Sequence, residues 1–472
     1  MIKFDSRNFS KHLKWDLLFF YFFFITTYFI VSYSISYFPV LEPDSKSYLD
    51  NNGGRLAIYP LFLDLFYTKN FFYILLFQKI FFILSLYFLF KAIIDLEINR
   101  KLIVIIYLLT VLNIYYTSFS KTILTESLFF SLVNISVAVL LQQRKTKFSS
   151  IILGFCLGGM ISIKHEGIII SFFLTLIFLC SSQRNKIIFF LFGFIILPFV
   201  ENYYFFKTND VRNTQLDRIY FGKIFMLSGT DSFKINNFDD KIKSYLLEIR
   251  KESVKVNKYL NQVKNPLLKA NLISDFEVAG QFQISDKIWK KLNIVVNNNK
   301  IYIDDEHLNQ REILFNIISK NPFEYFKLSV AHYISLWTPG SKKVFLDFMD
   351  MGKKNKDIHV NELLKKTSST TYVPHKNILK LNLLFFLFVM ILLIVFLFNY
   401  SYKLIKHPKK YISFFFLILS VQAHLIFVST VNVGTTRYLM SVYPLILLII
   451  IFFTNNLICK KKRYFNYFDN VS

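Results

Sequence analysis

Cysteine is scarce in this sequence, which has only Cys156, Cys180 and Cys459 among its 472 residues. All three fall within or at the end of apolar segments, and none is spaced from another as metal ligands are. A disulfide framework and a cysteine metal centre are therefore both unsupported. Internal repeats are also lacking, which argues against an inverted-repeat transporter.

Acidic residues are the second shortage. Lys and Arg together number 56 but Asp and Glu only 31, so the formal net charge is +25. An excess of this kind is typical of nucleic-acid-binding proteins, but here much of it lies in short runs that flank apolar blocks. Positive-inside membrane topology requires that arrangement. We therefore expect membrane lipids as partners and no nucleic acid.

Apolar residues, in contrast, make up 54% of the chain and include 57 Phe and 28 Tyr. They form blocks of about 20 residues, the length that a helix needs to cross a ~30 Å hydrocarbon core. The first block follows a basic region and lacks a small-x-small cleavage site, so we interpret it as a retained helix rather than a signal peptide. The pattern predicts an all-α polytopic membrane protein with about ten transmembrane helices, at residues 17–37, 71–93, 102–119, 123–141, 149–163, 167–181, 187–206, 378–400, 411–430 and 438–458.

The basic clusters predict the orientation of these helices. With the N-terminus in the cytosol of a bacterial cell, every basic cluster of the short loops falls on the cytosolic side of the cytoplasmic membrane, as do both termini. The chain then divides into membrane modules at 1–206 and 377–472 and an extracytosolic segment at 207–376. That segment is amphipathic with few Pro and Gly, so we expect it to be mostly helical. Its aromatic-rich helix after Asn321-Pro322 is predicted to lie in the membrane interface.

Ionisable residues gather on one side in this topology. Inserting an ionisable side chain at or near membrane depth costs about 3 kcal/mol of free energy, so such a residue needs a partner, water or a function. Five separate segments bring such residues to the extracytosolic face, which predicts a polar cavity that opens outward. The candidate site residues are Glu42, Asp44, Arg55, Tyr59, Glu126, Lys164, His165, Glu166, Arg437 and Tyr438.

Each of these residues also has a simpler interpretation. Asp44 stands where it could cap a short helix, and Glu126 at a helix start complements the helix dipole. Residues 164–166 fit an exposed turn, and Arg437 fits an anchor to lipid headgroups. The shared face, rather than any single residue, indicates a functional site.

The combination of carboxylates and cations at one membrane level suits glycosyl transfer. A carboxylate in an outer loop can act as general base toward an acceptor hydroxyl. Arg and Lys nearby can hold a lipid-linked phosphate and stabilise the charge that develops on it as it leaves. The surrounding helices would accommodate a polyprenyl tail. The set therefore predicts transfer from a polyprenyl-phosphate sugar.

Several short motifs lie at the predicted outer ends of the helices. They are Glu42-Pro43-Asp44-Ser45-x-x-Tyr48, Arg55-x-x-x-Tyr59-Pro60-Leu61, Leu124-Thr125-Glu126-Ser127-Leu128-Phe129, Gly158-Gly159-Met160 with Lys164-His165-Glu166-Gly167, Asn321-Pro322 with Tyr325 and Trp337, and Arg437-Tyr438 with Pro444. In this order they resemble the GT-C superfamily of membrane glycosyltransferases. The resemblance is closest to the bacterial branch related to protein O-mannosyltransferases and lipid A aminoarabinose transferases.

This resemblance implies a GT-C-like inverting transferase that uses a polyprenyl-phosphate-linked sugar donor and a glycan, lipid or protein acceptor. It maps the general base onto Asp44 and makes Glu126 a second acid of the cavity. Arg437 with Lys164 or His165 would bind the phosphate. The first loop has Glu-x-Asp where some relatives have Asp-x-Asp, which leaves metal dependence open. Because relatives that use lipid monophosphate donors often need no metal, the resemblance implies no required cofactor, with a divalent metal as the alternative.

The main alternative is an envelope polysaccharide polymerase, ligase or flippase, because such proteins also combine ten or more helices with a large outer loop. Ligase chemistry would centre on Arg and His within that loop. A secondary transporter would place ionisable groups near the bilayer midplane, and the pattern shows none there. A non-enzymatic membrane scaffold is the remaining class.

Overall fold

The computed structural model describes residues 21–32, 44–50, 55–66, 71–96, 98–142, 146–181, 184–208, 216–233, 240–285, 287–288, 310–338 and 376–459. Within these ranges the regular elements are helices, with no β-strand. This part of the chain is all-α, as predicted. It forms two compact units, the first from Met1–Val211, Leu392–Gln422 and Met440–Ser472, the second from Arg212–Ile391 and Ala423–Leu439.

The helices follow the apolar blocks of the sequence closely. Up to residue 208 they are α1 (Tyr21–Ser32), α2 (Ser45–Leu49), α3 (Ile58–Asp64), α4 (Phe71–Ile94), α5 (Arg100–Val111), α6 (Ile114–Thr117), α7 (Glu126–Leu141), α8 (Lys147–Ile163), α9 (Gly167–Cys180) and α10 (Ile187–Thr208). The later helices are α11 (Leu216–Ser228), α12 (Asp240–Gln262), α13 (Pro266–Ala279), α14 (Gln310–Lys320), α15 (Pro322–Leu336), α16 (Lys376–Lys406), α17 (Pro408–Val431), α18 (Thr436–Ser441) and α19 (Tyr443–Cys459).

Local sequence explains where several helices begin. At α8, Thr146 and Ser149 form a capping box, since each side chain accepts a hydrogen bond from the backbone N–H of the other. At α13, the Asn265 side chain accepts bonds from two backbone N–H groups of the first turn. Pro266 follows it at the first helical position, where a missing N–H costs nothing.

Four helices are long and apolar enough to cross a membrane, at Phe72–Ile94, Ile187–Lys207, Leu383–Lys406 and Tyr411–Val431. The number is five if Arg100–Val111 and Tyr115–Lys121, which meet at 62°, form one broken span. The predicted spans at 17–37, 123–141, 149–163, 167–181 and 438–458 each overlap an apolar helix of 10–17 residues. The described chain is thus an all-α protein with several helices that could span a membrane, and the count of ten remains a prediction.

The extracytosolic segment of the prediction is helical in its described part, from α11 to α15. These helices enclose an apolar core within the second unit, to which Phe225, Ile249 and Phe276 contribute fully buried side chains. Amphipathic helices without long apolar runs can bury only one face each. Their packing around a shared core is therefore what stabilises this segment.

Glycines set the closest helix contact of the first unit, between α8 and α10. A Cβ at Gly154 would lie 2.0 Å from the Phe190 carbonyl oxygen, and one at Gly158 would lie 2.1 Å from that of Phe194. Real Cβ atoms do not approach a backbone oxygen so closely, so only glycine fits. Small residues that let two backbones meet are typical of helix pairs in membranes.

Replacing Gly154 by alanine should therefore force α8 away from α10. We expect Gly154→Ala to destabilise the protein by about 1–3 kcal/mol, as overpacking of a tight site does. The measurement is the thermal unfolding midpoint of purified protein in detergent. Phe148→Ala, at an exposed position of the same helix, is the control and should leave the midpoint unchanged. An unaltered midpoint for Gly154→Ala would contradict the backbone contact.

Candidate functional site

An ion pair in the first loop is partly exposed to solvent. Arg55 Nη2 lies 2.7 Å from Asp44 Oδ1, and the two side chains are 17% and 35% exposed. Arg55 Nε also donates to Ser47 Oγ at 2.8 Å. Asp44 directly precedes the short helix α2 and Arg55 lies shortly before α3, so the ion pair joins the starts of these two helices.

Two tyrosines pack beside this ion pair. The Arg55 guanidinium carbon lies 4.6 Å from the centre of the Tyr48 ring, and Tyr48 meets Tyr59 edge-on at 5.2 Å. The Tyr59 hydroxyl accepts a hydrogen bond from Gln78 Nε2 at 2.8 Å. Burial raises the pKa of Tyr48, although the Arg55 charge opposes it, and burial raises the pKa of Tyr59 well above its ordinary value. Both side chains are therefore neutral phenols.

A second ion pair joins α7 to the end of α8. Lys164 Nζ lies 3.1 Å from Glu126 Oε1, with side chains that are 10% and 2% exposed. The Thr125 hydroxyl donates to Glu126 Oε2 at 3.3 Å. Glu126 is the first residue of α7, where a negative charge is favourable. Lys164 ends α8, so this pair connects two helix ends.

The two ion pairs meet around Tyr48. Arg55 Nη1 donates a hydrogen bond to its hydroxyl at 3.3 Å. Besides burial, the charges of Arg55, Glu126 and Asp44 and the side chain of Thr125 all influence its pKa. The first unit thus brings Asp44, Arg55, Glu126 and, through its pair, Lys164 into one site. The sequence analysis grouped these residues because the predicted topology places their segments at one membrane level.

Glu201 is a residue of this neighbourhood that sequence reasoning missed. It is buried on α10, and its Oε1 accepts a hydrogen bond from the Ala57 backbone N–H at 3.4 Å. It thereby joins α10 to the start of α3, next to Arg55. The signal was present, because Glu201 is a lone carboxylate within an apolar block, and such residues need a partner or a function.

The remaining predicted residues are placed less centrally. Glu42 lies outside the described residues. His165 is exposed and Glu166 partly exposed in the turn between α8 and α9. Arg437 and Tyr438 belong to the second unit. There Arg437 Nη2 donates to the Tyr438 hydroxyl at 3.2 Å.

The second unit contains a buried polar cluster that the sequence did not reveal. Glu277 on α13 pairs with Lys223 of α11 at 3.2 Å and with His332 Nε2 of α15 at 2.6 Å. His332 Nδ1 accepts a hydrogen bond from the Gly434 N–H at 3.2 Å and lies 2.8 Å from Ser274 Oγ. Because Nδ1 accepts, the proton of the imidazole is on Nε2, which donates a hydrogen bond to Glu277 Oε2.

Burial governs the ionisation of this cluster. Burial and the Lys223 charge lower the pKa of His332, so its imidazole is neutral at physiological pH. Burial would raise the pKa of Glu277, but Lys223 and His332 outweigh it and bring that pKa below its usual value. Burial also lowers the pKa of Lys223, which Glu277 opposes. The cluster is an ion pair with a neutral imidazole.

Although Ser274, His332 and Glu277 are the residue types of a hydrolase triad, their arrangement does not suit one. A general base must be free to take the serine proton, whereas Nδ1 already accepts from a backbone N–H. All three side chains are buried. The cluster is structural.

The cluster stabilises the turn that precedes Arg437. Lys223 Nζ donates to the Asn432 carbonyl at 3.1 Å, and the Ser335 hydroxyl donates to that of Gly434 at 2.6 Å. A Cβ at Gly434 would lie 2.2 Å from the His332 carbonyl oxygen, so the turn needs glycine at this point. Helices α11 and α15 therefore fix residues 432–434 within the second unit.

The described residues contain no group of three or more His, Cys, Asp or Glu side chains that could hold a metal ion. Glu42, the other carboxylate of the Glu-x-Asp pattern, lies outside them. Whether the first loop uses a divalent metal therefore stays an open part of the prediction.

Removing one partner of the Glu126–Lys164 pair should be costly. We expect Lys164→Met to destabilise the protein by about 3–5 kcal/mol, because the buried carboxylate loses a cation at 3.1 Å. The double variant Glu126→Gln/Lys164→Met should recover most of this loss, which a double-mutant cycle of unfolding free energies measures. Lys91→Ala breaks the more exposed Lys91–Asp95 pair and should cost less than about 1 kcal/mol. Additive single effects would contradict the coupling.

The neutral imidazole of His332 makes stability depend on pH. Its pKa in the folded protein is below the ordinary value, so the unfolded chain binds more protons in mildly acid solution. Stability should fall as the pH is lowered from about 7.5 to about 5.5, and the lowered pKa of Glu277 adds a loss of the same sign at lower pH. The unfolding midpoint measured across this range tests the expectation.

His332→Gln should flatten that pH dependence, since glutamine offers Glu277 an N–H donor but does not titrate. His165→Gln, at an exposed histidine, is the matched control and should retain the wild-type slope. Equal slopes for wild type and His332→Gln would show that His332 is not the titrating group.

Comparison with known proteins assigns no family to this chain. It matches no protein-family model, and neither a curated protein nor a solved structure is significantly similar to it. The likeness of its short motifs to GT-C glycosyltransferases therefore remains a prediction. The chemistry of the site has to be inferred from its own charges and contacts.

Proposed function

We propose that this protein is a GT-C-like glycosyltransferase that moves a sugar from a polyprenyl-phosphate-linked donor to an envelope acceptor at the extracytosolic membrane face. The Asp44–Arg55 pair carries this proposal. Its carboxylate and guanidinium, 2.7 Å apart, stay partly exposed beside the buried Glu126–Lys164 pair. A site that offers an accessible carboxylate together with cations has the groups that transfer from a phosphate-linked sugar needs.

Asp44 is the general base in this proposal. The oxygen of the acceptor hydroxyl attacks the anomeric carbon, and the bond from that carbon to the phosphate oxygen breaks. The hydroxyl proton passes to the Asp44 carboxylate, and the electron pair of the broken bond leaves on the polyprenyl phosphate. Attack from the side opposite the leaving group inverts the anomeric configuration. Arg55 holds the carboxylate in position through its bonds to Asp44 and Ser47.

The cations of the site balance the charge of the donor. Lys164 and His165, in or beside the turn after α8, are proposed to bind the phosphate, with Arg437 as a further ligand on sequence grounds. Glu126 is the second acid, and its contact with Lys164 sets the position of that ammonium group. The other proposed substrate contacts are Glu42, Arg55, Tyr59, Glu166 and Tyr438.

The proposal includes the full membrane topology. Ten helices cross the cytoplasmic membrane of a bacterial cell, both termini are cytosolic, and residues 207–376 are extracytosolic. The alternation of basic clusters along the sequence supports this. Helices of fewer than 18 residues, such as α7, α8 and α9, would cross with local thinning of the bilayer.

The ligase alternative gains no support from the described part of the extracytosolic segment. Such chemistry needs reactive Arg and His side chains in that segment. Its described histidine, His332, is buried and bonded to Glu277 and Gly434, and His307, His359 and His375 lie outside the described residues. The ligase therefore stays the alternative to the first-loop site.

Asp44→Asn should lower transfer of radiolabelled sugar from a polyprenyl-phosphate donor by about 100-fold or more, because the amide cannot accept the proton. The assay uses full-length protein reconstituted in lipid, with the amount of folded protein determined for each variant. Asp50→Asn changes an exposed carboxylate of the same loop and is the matched control. It should retain wild-type transfer.

Full activity of Asp44→Asn would exclude Asp44 as the base. If wild-type protein transfers no sugar from any polyprenyl-phosphate donor offered, the glycosyltransferase proposal itself is wrong. The two outcomes are therefore separable.

A further inference from the structure

Helix α15 carries an exposed apolar stripe within the second unit. Phe323 and Phe326 are 65% and 62% exposed, and Val330 is also exposed. With Lys327 these residues occupy positions i, i+3, i+4 and i+7 of the helix, which lie on one face. Two phenylalanines open to this extent on one face are unfavourable in water, so the stripe needs a partner that is partly apolar.

The opposite face of α15 is already occupied. Leu328, His332 and Leu336 are buried on it, and His332 belongs to the polar cluster with Glu277 and Lys223. The orientation of the helix is therefore fixed by the core of the second unit. The stripe cannot turn inward without breaking these contacts.

Hydrogen bonds hold α15 at the end of a candidate membrane span. The Tyr325 hydroxyl donates to the Thr430 carbonyl at 2.6 Å, and Thr430 is the last residue but one of the apolar helix Tyr411–Val431. Toward the other end of α15, Ser335 bonds to the Gly434 carbonyl just beyond that helix. Both contacts lie within the second unit. They place α15 beside the end of this candidate span, at the level where the span would leave the hydrocarbon.

The composition of the stripe matches that level of a membrane. Lys327 Nζ lies 4.4 Å from the centre of the Phe323 ring and pairs with Glu324 at 2.9 Å. An aromatic ring with a lysine folded over it presents an apolar body and a charged end, as side chains at the headgroup boundary do. Lys320 at the end of α14 adds a further exposed cation, which favours an anionic lipid surface.

The sequence predicts an interfacial position for α15, and we propose that the helix reaches it by inserting Phe323, Phe326 and Val330 into the boundary between lipid headgroups and acyl chains. The partner is the phospholipid surface itself. The contact of α15 with the end of the Tyr411–Val431 helix favours lipid over a protein partner, because the bilayer that surrounds this span reaches the stripe without any further molecule. This inference goes beyond the proposed function and does not depend on sugar transfer.

Depth-dependent fluorescence quenching tests the proposal. In the full-length protein Cys180 and Cys459 are replaced by serine, and the buried Cys156 is kept. Phe326 is then replaced by cysteine and labelled with an environment-sensitive fluorophore. The labelled protein is reconstituted in nanodiscs that contain phosphatidylglycerol. Quenching is measured with lipids that carry a nitroxide near the headgroup and, separately, with aqueous iodide. Lys255→Cys on α12, at an exposed lysine of the same unit, is the matched control.

At position 326 we expect emission to fall at least about two-fold with the nitroxide lipid and to resist iodide, as for a side chain in the interface. Position 255 should show the reverse. Phe323→Cys and Val330→Cys, on the same stripe, should repeat the result for 326 and provide the measurement if that variant does not fold. Iodide quenching at 326 as strong as at 255 would mean that the stripe faces water. Protection from both quenchers would mean that protein covers it. Either outcome overturns the proposal.

Discussion

Two buried ion pairs connect helices within the part of the chain that the structure describes. Removing an ion from water costs several kcal/mol, which only a close opposite charge and hydrogen bonds can offset. Glu126 and Lys164 meet this requirement between α7 and the end of α8, and Lys223 and Glu277 meet it between α11 and α13. Each unit thus has a buried ion pair that connects two of its helices.

Solvent access distinguishes the pair that could react from the pairs that only stabilise. The Asp44 carboxylate is 35% exposed, whereas that of Glu277 is fully buried. A general base has to reach its substrate, so Asp44 is the carboxylate on which chemistry is proposed. The same comparison gives Glu126 a supporting part, since it is almost fully buried against Lys164. Glu201, which was not foreseen, extends the site to α10.

Much of the helical architecture could be predicted because it follows from local properties. The block at 71–93 became α4 and the block at 187–206 became α10 with ends displaced by no more than two residues. Prediction was poorer where a helix breaks. The block at 102–119 divides after Val111, and the block at 438–458 divides at Val442. Such breaks depend on neighbouring helices rather than on the apolar character of the block.

The sequence by itself determined the all-α class of the described part of the chain, which blocks are apolar enough for a membrane and which short segments carry the ionisable residues. Block length and charge decide these properties, and both can be read from neighbouring residues. Only the tertiary structure decided which charges meet. Lys164 pairs with Glu126, which is 38 residues away in the sequence, and His332 bonds to Glu277, which is 55 residues away. Helical periodicity defines the face on which a side chain lies, but the packing of the helices selects its partner.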